Sequence, residues 1–541
     1  MYQHLFLLLT MFSSEHVPYN QTNAYSKTVL DYLSGAGMLR PFYSLPSTLD
    51  GIKQAIERKK QQPVNRKLLV DVLNEQYEKV ASTDEVKKNI ELLLSQNTFT
   101  VCTAHQPNLF TGPLYFVYKV LHAIKLASYL KEQLPQYNFV PVYYMGSEDA
   151  DFAELNHTYV DGKKIEWNKE QKGAVGRMLV DKTLVQLIDE LEGQLYAEQY
   201  GKEVVDLLRR CYSNGKDIQT ATFELVNELY GQFGLVVLIP DHPLLKQEMI
   251  NVFEEDLFNS KPFEIVRKTS ERLQESYEPQ AYPREINLFY LKDDIRERIE
   301  LQDEQYVVVN ADLKFSDEEL RSELKQHPER FSPNVILRGL FQETILPNLA
   351  FIGGGGEIAY WLQLKDLFEH YHVVFPVLVL RNSFLVVEEK WNEKIRKLDL
   401  TVSDLFLSEN ELMKMIVTKN SQNKVSLNGN FERAEEFFEQ IRTQAEAIDK
   451  SLSQYVSSIK ARSIKDLEEL EKKMLRAEKR KFEEHQRQIQ KIKAALFPNN
   501  GLQERVENFS WFYAKWGRSF ITELLNNSFA LEQEFCILME K

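Results

Sequence analysis

Short apolar runs rich in β-branched residues recur along the first 385 positions, and turn residues bound each of them. Residues 99–104 and 139–146 are two such runs, and between them apolar residues from 114 to 124 are spaced 3, 4 and 3 apart. That spacing predicts one buried face of a helix. A strand, a helix and a second strand of this length predict a parallel pair joined by a right-handed crossover.

The same theme returns later in the chain. Further strands are predicted at 234–240, 306–310, 334–338 and 372–381. A second helical face with the 3-4-3 spacing precedes the last of them and consists of Trp361, Leu364, Phe368 and Tyr371. Alternating strands and helices predict an α/β fold with a doubly wound parallel sheet, covered by helices on both faces. We interpret the more charged, helix-like residues 160–230 as an insertion between core strands.

The pattern changes after residue 385. Residues 434–497 contain neither proline nor glycine and are dense in lysine, arginine and glutamate. Two sets of residues are each spaced 4, 3 and 4 apart: Ile448, Leu452, Tyr455 and Ile459, and His485, Ile489, Ile492 and Leu496. They predict a long helix with coiled-coil character, imperfect near 459–464 and 475–485. Because an apolar stripe must be covered, we expect this arm to pack on itself or on a second chain, with a solvated single helix as the alternative.

The sequence FPNNG at 497–501 ends that helix, since proline, asparagine and glycine all disfavour its continuation. The remainder is rich in aromatic residues and is expected to return to the core. We therefore predict three parts: an α/β core at 1–385, a helical arm at 386–500, and a C-terminal segment at 501–541.

Composition narrows the class of protein. A chain of 541 residues is expected to form two or three domains. Its net charge of −14 argues against a nucleic acid as the main ligand, because phosphates need a basic surface. The cysteines Cys102, Cys211 and Cys536 lie far apart, so we expect free buried thiols in a reducing compartment, without a zinc site or a disulfide framework.

The N-terminal apolar run at 5–12 is too short to span a bilayer and lacks the flanking features of a signal peptide. Met11 is an alternative start of the chain. No other run reaches about 18 apolar residues. We expect a cytoplasmic protein without a membrane partner.

Three segments could carry chemistry, and the first follows the strand at 99–104. It contains His105, Gln106, Asn108, Thr111 and Gly112, just before a helix that is predicted to begin at Pro113. A neutral imidazole beside the N-terminus of a helix suits a phosphate or a carboxylate. The alternative is a turn in which the histidine bonds only to the local backbone.

The second segment follows the strand at 139–146 and contains Glu148, Asp149 and Asp151. Carboxylates this close repel each other unless a metal ion, an ammonium group or an arginine lies nearby. Mg²⁺ would suit them, although the spacing matches no dedicated metal loop, so we assign no metal ligands. Asn156 and His157 could bind substrate hydroxyl groups. The alternative is a helix N-terminus that carries acidic residues.

The third segment is a run of four glycines that opens a helix and is followed by Glu357. The glycines are Gly353, Gly354, Gly355 and Gly356. Glycine allows backbone amides to approach a ligand, and Glu357 could meet a cation or an ammonium group. Arg338 and Arg381, near predicted strand ends, could bind carboxylates through two hydrogen bonds each. A plain turn and surface arginines are the alternatives.

Four long motifs, in this order along the chain, resemble the bacillithiol-synthesis cysteine-adding enzyme family. They are TAHQPNLFTGPLYFVYK, EDADFAELNHTYV, LRGLFQETILPNLAFIGGGGEIAYWLQL and LFPNNGLQERVENF, and LDYLSGAGMLRPFY near the start adds to the likeness. The resemblance implies a Rossmann-like core related to nucleotidyltransferases, including class I aminoacyl-tRNA synthetases. It also implies an adenine nucleotide site and a coiled-coil arm that supports a homodimer. The implied reaction joins cysteine to glucosaminyl-malate and makes bacillithiol.

The bond formed in that reaction leads to a hypothesis for the roles of the candidate residues. Amide formation needs activation, and attack of the cysteine carboxylate on the α-phosphate of ATP would supply it. On this hypothesis His105 and the helix at Pro113 stabilise the phosphates, with Asn108, Thr111, Gly112 and the four glycines completing the nucleotide site. Glu148, Asp149 or Asp151 holds Mg²⁺ or the cysteine ammonium group, and Arg338 or Arg381 holds a malate carboxylate. Glu357 accepts the proton of the amine.

The sequence departs from the synthetase pattern in two places. Where that pattern has H-x-G-H, this chain has His105, Gln106, Pro107 and Asn108, so the second histidine is absent. The K-M-S-K-S loop of that pattern has only a weak match in this chain, the sequence KMIVTK at 414–419. Two other functions therefore stay open: a binding or scaffold protein that works with a separate activating enzyme, and a relative that acts on nucleic acid, which the acidic charge disfavours.

Overall fold

The computed structural model describes residues 11–420, 427–479 and 482–541. The chain divides into two units, the larger built mainly from Ala24–Leu385 and Gly501–Leu538 and the smaller mainly from Val386–Asn500. The apolar run at 5–12 lies outside the described residues except for its last two positions, and so does Met1. Among the described residues no helix is both long and apolar enough to cross a membrane.

The strands follow each other along the chain as β1 (Phe12–Pro18), β2 (Thr98–His105), β3 (Asn138–Met145), β4 (His157–Val160), β5 (Lys163–Glu166), β6 (Val236–Leu238), β7 (Leu288–Lys292), β8 (Ile295–Gln302), β9 (Gln305–Val308), β10 (Leu313–Phe315), β11 (Phe331–Pro333), β12 (Asn348–Gly353), β13 (Val377–Leu380), β14 (Ser383–Val387) and β15 (Glu534–Glu540).

The helices of the larger unit are α1 (Lys27–Leu33), α2 (Leu49–Lys59), α3 (Arg66–Tyr77), α4 (Asp84–Leu92), α5 (Tyr115–Gln133), α6 (Phe152–Leu155), α7 (Lys182–Leu195), α8 (Gly201–Cys211), α9 (Ile218–Tyr230), α10 (Pro243–Gln247), α11 (Ile250–Asn259), α12 (Lys261–Gln274), α13 (Asp317–Gln326), α14 (Val335–Ile345), α15 (Gly355–Trp361) and α16 (Lys365–His370). The smaller unit contains α17 (Glu389–Lys397), α18 (Glu409–Asn420), α19 (Asn428–Ile448), α20 (Leu452–Lys479) and α21 (Glu483–Leu496). The chain then returns to the larger unit with α22 (Phe509–Trp516) and α23 (Arg518–Asn526).

The core of the larger unit is a parallel five-stranded sheet in the order β13-β12-β2-β3-β6. The chain runs outward from β2 through β3 to β6, and later adds β12 and β13 on the opposite side of β2. The strand order therefore reverses between β2 and β12. In open α/β sheets this reversal point, at the carboxyl ends of the strands, is where ligands bind.

Continuous burial explains why these segments form inner strands. The first seven residues of β2 are all buried, although successive side chains point to opposite faces, so both faces of the sheet are covered. The helix α5 connects β2 to β3 and buries residues around most of its circumference. The predicted strand–helix–strand unit is confirmed here, as is the doubly wound parallel sheet.

A second sheet, in the order β10-β9-β8-β7-β11, is antiparallel throughout and lies in sequence between β6 and β12. The run at 306–310 was predicted to be a core strand, and this is wrong: it contributes β9 to this second sheet. Its alternating burial, with every second residue at the surface, is typical of a sheet that is covered on one face.

The run at 334–338 was also predicted to be a strand and instead begins α14. Asn334 caps this helix by accepting a hydrogen bond from the Ile336 N–H at 2.8 Å. Buried residues at 336, 337, 340 and 341 then follow the helical spacing. A core strand that the sequence pattern did not predict is β12. Its apolar run leads directly into the glycines, so it was not distinguished from the glycine segment.

Within the run at 372–381, only β13 is a strand. The residues from 372 to 376 form a loop that leads into it. The second helical face is divided between α15 and α16. Its residues Trp361, Leu364 and Phe368 are fully buried, as the spacing predicted, while Tyr371 is partly exposed.

The smaller unit is helical, and its two longest helices α19 and α20 are joined by a short turn at 449–451. Asp449 forms this turn by accepting a hydrogen bond from the Ser451 N–H at 2.8 Å, and Lys460 of α20 lies 3.2 Å from Glu439 of α19. The predicted uninterrupted helix across Ile448 and Leu452 is therefore wrong, and the segment is a helical hairpin. In α21 the residues Ile489, Ile492 and Leu496 are buried as predicted, and the helix ends before Phe497.

The aromatic C-terminal segment packs within the larger unit: Phe509, Trp511, Phe512, Tyr513 and Trp516 are all buried. The cysteines Cys102, Cys211 and Cys536 are buried free thiols, as the sequence indicated.

Candidate active site at the sheet's carboxyl edge

A cavity of about 790 Å³ opens at the carboxyl ends of β2, β3 and β12, beside the point where the strand order reverses. All three candidate segments contribute to its wall. Its lining includes His105, Glu148, Asp149, Gly354, Gly355, Gly356, Glu357, Arg338 and Arg381. Residues distant in sequence thus meet in one cavity, whose size is that of a typical small-molecule site.

His105 is the last residue of β2, and its ring lies against Tyr115 and Phe116, with centroids 5.3 and 5.6 Å away. Burial, followed by the nearby charges of Lys119, Arg381 and Arg338, lowers the pKa of His105 well below its usual range. The imidazole is therefore neutral at physiological pH. Its Nε2 is shielded and has no hydrogen-bond partner among the described residues, which leaves Nδ1 as the nitrogen that can face a ligand.

Glu357, in the first turn of α15, is held by two partners. Its carboxylate pairs with the buried Lys119 of α5 and accepts a hydrogen bond from the Gly354 N–H at 2.8 Å. Lys119 also donates to the Ala104 carbonyl oxygen at 3.0 Å. Burial lowers the pKa of Lys119, while the charge of Glu357 opposes that shift. The cation predicted for Glu357 is thus supplied by the chain itself.

The acids after β3 are also partnered. Glu148 pairs with the fully buried Lys246, and burial raises the pKa of Glu148 against the opposing charge of this lysine. Asp149 accepts hydrogen bonds from Gln106 at 3.1 Å and from the backbone N–H of Ala150 at 2.6 Å. The predicted repulsion between carboxylates is relieved by a lysine and by hydrogen bonds.

The guanidinium of Arg381 is buried and donates to the Glu504 carboxylate at 2.6 Å. It also donates to Ser383 Oγ at 3.1 Å, and its own backbone N–H donates to the Gly353 carbonyl oxygen at 2.8 Å. A Cβ atom added at Gly354 would lie 3.7 Å from Nε of Arg381, which is an ordinary van der Waals distance.

Three further arginines line the cavity without a carboxylate partner among the described residues. Arg338 of α14 donates to the Tyr360 hydroxyl at 2.6 Å and to Gln342 at 3.4 Å. Arg296 of β8 donates through Nε to Ser332 at 3.2 Å. Arg505, in the segment after the helical arm in sequence, is exposed and makes no side-chain hydrogen bond within the described part of the chain.

Several predicted residues lie off the cavity wall. Asp151 is exposed and caps α6, whereas Asn156 is buried and donates to the Trp167 carbonyl oxygen at 3.3 Å. His157 begins β4 and lies 3.1 Å from the Asn156 side-chain oxygen. Gly353 is the last residue of β12 and does not line the cavity.

Asn108, Thr111 and Gly112 are buried in the turn after β2, also away from the lining. Gly112 has φ +66°, and a side chain there would meet Asn108 at 2.8 Å, so the turn requires glycine. The side chain of Asn508 fastens the turn by donating to the carbonyl oxygens of Phe110 at 2.9 Å and Gly112 at 2.5 Å. These residues shape the turn that carries His105.

Sequence inspection missed several residues of the site. Among them are Lys119, Glu154, Arg296, Tyr360 and Arg505. Lys119 lies one helical turn after Tyr115 inside a quoted motif, and Arg505 lies in the closing motif, so position in a motif could have suggested both. Arg296 lies in a run of charged residues outside the quoted motifs, so nothing in the sequence indicates that it lines the site.

The described residues contain no cluster of three or more histidine, cysteine or acidic side chains arranged to hold a metal ion.

Two family models match the chain. The model described as "Bacillithiol biosynthesis BshC, N-terminal Rossmann-like domain" matches residues 12–382. The model described as "Bacillithiol biosynthesis BshC, C-terminal coiled-coil domain" matches residues 384–540.

Curated relatives extend over almost the same length. The chain is 40% identical to a protein of Flavobacterium johnsoniae, covering 96% of this chain and 99% of the relative. It is 41% identical to a protein of Christiangramia forsetii over 96% and 98% of the two chains, and 28% identical to one of Bacillus cereus over 93% and 96%. Each carries the name "Putative cysteine ligase BshC".

Among solved structures, a protein of Campylobacter jejuni titled as a putative arginyl tRNA synthetase covers 82% of this chain and 98% of its own, at 8% identity and a TM-score of 0.21. That likeness is too weak to inform the fold or the function.

Proposed function

Because this chain belongs to the bacillithiol biosynthesis BshC family, we propose that it is a ligase that joins the carboxyl group of cysteine to the amine of glucosaminyl-malate. One observation carries the proposal: the three candidate segments meet in one cavity at the reversal point of a parallel sheet. The names of the curated relatives support the cysteine ligase reaction, and the acceptor substrate is our extension.

The charges of the cavity support such substrates. Lys119, Arg381 and Glu148 are each neutralised by a protein partner, as the ion pairs above describe. Arg296, Arg338 and Arg505 remain without a carboxylate partner in the described part of the chain. Asp149 and Glu154 are cavity acids that no lysine or arginine of the described chain pairs with. A site with both free cations and free carboxylates suits ligands that carry carboxylates and an ammonium group, as cysteine and glucosaminyl-malate both do.

The chain's own residues would contribute as follows. Neutral His105 donates one hydrogen bond to a developing negative charge through its ring N–H, without adding a full charge of its own. Glu357, held in place by its ion pair with Lys119, orients the attacking amine and accepts a hydrogen bond from it. One of the two acids Asp149 and Glu154 holds an ammonium group, and the other is available to a metal ion. Arg338 holds an anionic group, and its guanidinium carbon lies 5.9 Å from the centroid of the Tyr144 ring.

Amide formation from a free carboxylate needs activation, and we propose ATP as the co-substrate that supplies it. The cavity-lining glycines Gly354, Gly355 and Gly356 let phosphates approach the backbone, and His105 and Arg505 could contact them. Mg²⁺ would accompany the nucleotide, held by its phosphates and by Asp149 or Glu154. Asn108, Thr111 and Gly112 would support the nucleotide site only indirectly, since they lie behind the cavity wall.

One observation favours a partner-dependent protein as the second candidate. Asn108, at the position of the second histidine of the synthetase signature, is buried away from the cavity and offers no group to a nucleotide. On this alternative the chain binds the substrates and a separate enzyme activates the carboxyl group.

The two candidates are separated by incubating the purified full-length protein with cysteine, glucosaminyl-malate, ATP and Mg²⁺, and measuring bacillithiol and nucleotide products by mass spectrometry. We expect bacillithiol and consumption of ATP in equal amounts. Product that forms only after addition of extract from cells lacking this protein would support the partner-dependent alternative. A folded protein that yields no bacillithiol in either mixture would overturn both.

We further propose that the helical hairpin α19–α20 mediates a homodimer. Ile448, Leu452, Tyr455 and Ile459 expose 83%, 37%, 67% and 41% of their surface. Large apolar side chains clustered along one hairpin are costly in water and are typical of an interaction surface. A second copy of the chain could cover them with the same residues by two-fold symmetry.

A further inference from the structure

Arg296 lines the cavity, and the two terminal amino groups of its guanidinium have no protein partner among the described residues. It lies on β8, in the antiparallel sheet inserted between β6 and β12. Its Nε donates to Ser332 Oγ at 3.2 Å, and neither terminal amino group makes a hydrogen bond within the described residues. These two amino groups form the planar fork that binds carboxylates and phosphates through paired hydrogen bonds.

Three other basic side chains of the cavity wall already have protein partners. Arg381 is paired with Glu504, and Lys119 is paired with Glu357. Arg338 uses both terminal amino groups, on Tyr360 and Gln342. Arg296 therefore differs from these residues in having both amino groups available to a ligand.

The position of Arg296 is fixed before any ligand arrives. Its guanidinium carbon lies 4.0 Å from the centroid of the Phe289 ring, and its Nε donates a hydrogen bond to Ser332 Oγ at 3.2 Å. Stacking and a hydrogen bond together restrict the side chain, so little conformational entropy is lost on binding.

The partial burial of this cation also favours a bound anion. Burial lowers the pKa of Arg296, and Asp149 and Glu148 oppose the shift from a distance. Neither acid forms an ion pair with Arg296 among the described residues: Glu148 pairs with Lys246, and Asp149 accepts a hydrogen bond from the neutral side chain of Gln106. Even a partly buried charge without an ionic partner loses some of its hydration, and a bound anion would offset that loss.

We propose that Arg296 is a specificity-determining residue that binds an anionic group of a substrate through its two terminal amino groups. The proposal rests on the ligase function above, and the group it favours is a carboxylate of the malate moiety of the acceptor. A phosphate of the nucleotide offers the same paired oxygens, so the two sources are distinguished by experiment.

The test compares Arg296→Met and Arg296→Lys with Arg298→Met. Arg298 is a matched control, since it lies two residues along the same strand, outside the cavity lining, in a half-exposed pair with Glu300 at 3.3 Å. Binding of glucosaminyl-malate, L-malate and ADP is measured by calorimetry, which does not depend on turnover. Circular dichroism establishes that each variant is folded.

We expect Arg296→Met to weaken glucosaminyl-malate and L-malate binding about 10- to 100-fold, the range for a paired hydrogen bond to a charged group. Arg296→Lys should recover only part of that affinity because it keeps the charge and loses the fork. Arg298→Met should bind as the unmodified protein does. A loss confined to ADP would support an anion site for phosphate and reject the carboxylate.

Unchanged affinity for all three ligands in folded Arg296→Met would overturn the inference. Failure of the ligase function gives a different result: the unmodified protein would then bind ligands without making bacillithiol, and the effect of Arg296→Met on binding would persist.

Discussion

The guanidinium of Arg381 lies 2.6 Å from the carboxylate of Glu504, and both side chains are buried. Arg381 follows β13 at the carboxyl edge of the core sheet, and Glu504 lies in the C-terminal segment, 123 positions further along the chain. Glu504 also accepts hydrogen bonds from Ser383 Oγ and from the Phe384 N–H, each at 3.2 Å. Through Glu504, the C-terminal segment thus holds Arg381, a residue of the cavity wall, in place.

Replacing Glu504 by glutamine should destabilise the protein, because it leaves the Arg381 charge buried without its counter-ion. Loss of one partner of a buried pair costs about 3–5 kcal/mol in the free energy of unfolding. Glu300→Gln is the control, since its half-exposed pair with Arg298 should cost less than about 1 kcal/mol. Urea unfolding of both variants measures the difference, and equal small losses would show that the buried pair contributes little.

Stability should depend on pH through Asp256. This fully buried carboxylate accepts hydrogen bonds from the Asn287 N–H at 2.6 Å and side chain at 2.9 Å, and burial raises its pKa from 3.8 to about 7. Between those values the folded protein keeps a proton that the unfolded chain has lost. The Asp256 contribution to the free energy of unfolding is therefore fully present below pH 3.8 and is lost as pH rises to 7, by up to about 1.4 kcal/mol per pH unit.

Urea unfolding of the unmodified protein and Asp256→Asn at pH 5, 6 and 7 isolates this effect from the other buried acids. Relative to the variant, the unmodified protein should lose stability at each step. Parallel curves for the two proteins would mean that Asp256 titrates in its ordinary range.

His105 should act as a neutral hydrogen-bonding group. Because burial and three nearby cations lower its pKa, activity between pH 6 and 8 should show no titration from this residue. His105→Ala should reduce kcat about 10²- to 10³-fold, as loss of one charge-stabilising donor does, while His105→Gln should retain more activity. His157→Ala, off the cavity wall, serves as the control. A protonation of His105 near pH 6.5, followed by NMR, would contradict this assignment.

Lys119 and Glu357 should behave as a unit in a double-mutant cycle. Lys119→Met removes the cation that pairs with Glu357. Glu357→Gln leaves the buried charge of Lys119 without its counter-ion. Each change alone should therefore destabilise the protein. The double variant should lose less stability than the sum of the two single variants. Thermal or urea unfolding of the four proteins measures the coupling, and strictly additive losses would argue against a strong pair.

The helical hairpin should control the oligomeric state. Tyr455→Glu places a charge among the exposed apolar residues of α19 and α20 and should convert a dimer into a monomer without loss of helicity. Tyr196→Glu is a matched control, because Tyr196 is 83% exposed but lies in the larger unit. Light scattering coupled to size-exclusion chromatography gives the mass of each. A dimer that survives Tyr455→Glu would place the interface elsewhere.

The sequence predicted the central strand–helix–strand unit because burial on both faces makes β2 and β3 continuous apolar runs. The same rule failed at 334–338, where a β-branched pair resembles a strand but Asn334 caps a helix. It also failed at β9, because a run of valines does not distinguish a parallel core strand from an antiparallel one. In the arm, the apolar spacing continued through a turn that depends only on Asp449 and Ser451.

The candidate residues were predicted best where they follow a core strand directly. His105, Asp149 and Glu357 all reach the cavity, because the carboxyl ends of parallel strands meet at one edge. Partners such as Lys246 for Glu148 and Glu504 for Arg381 could not be found from spacing, since 98 and 123 positions separate them. Only the folded chain shows which charges are already neutralised and which remain for a ligand.

The most direct test of the central claim is a crystal structure of the protein with glucosaminyl-malate bound. We predict ligand density in the cavity at the carboxyl edge of the core sheet, with a malate carboxylate at Arg296 and the amine within hydrogen-bond distance of Glu357. Ligand bound outside that cavity, with His105, Asp149 and Glu357 left without contact, would contradict the assignment of this cavity as the active site.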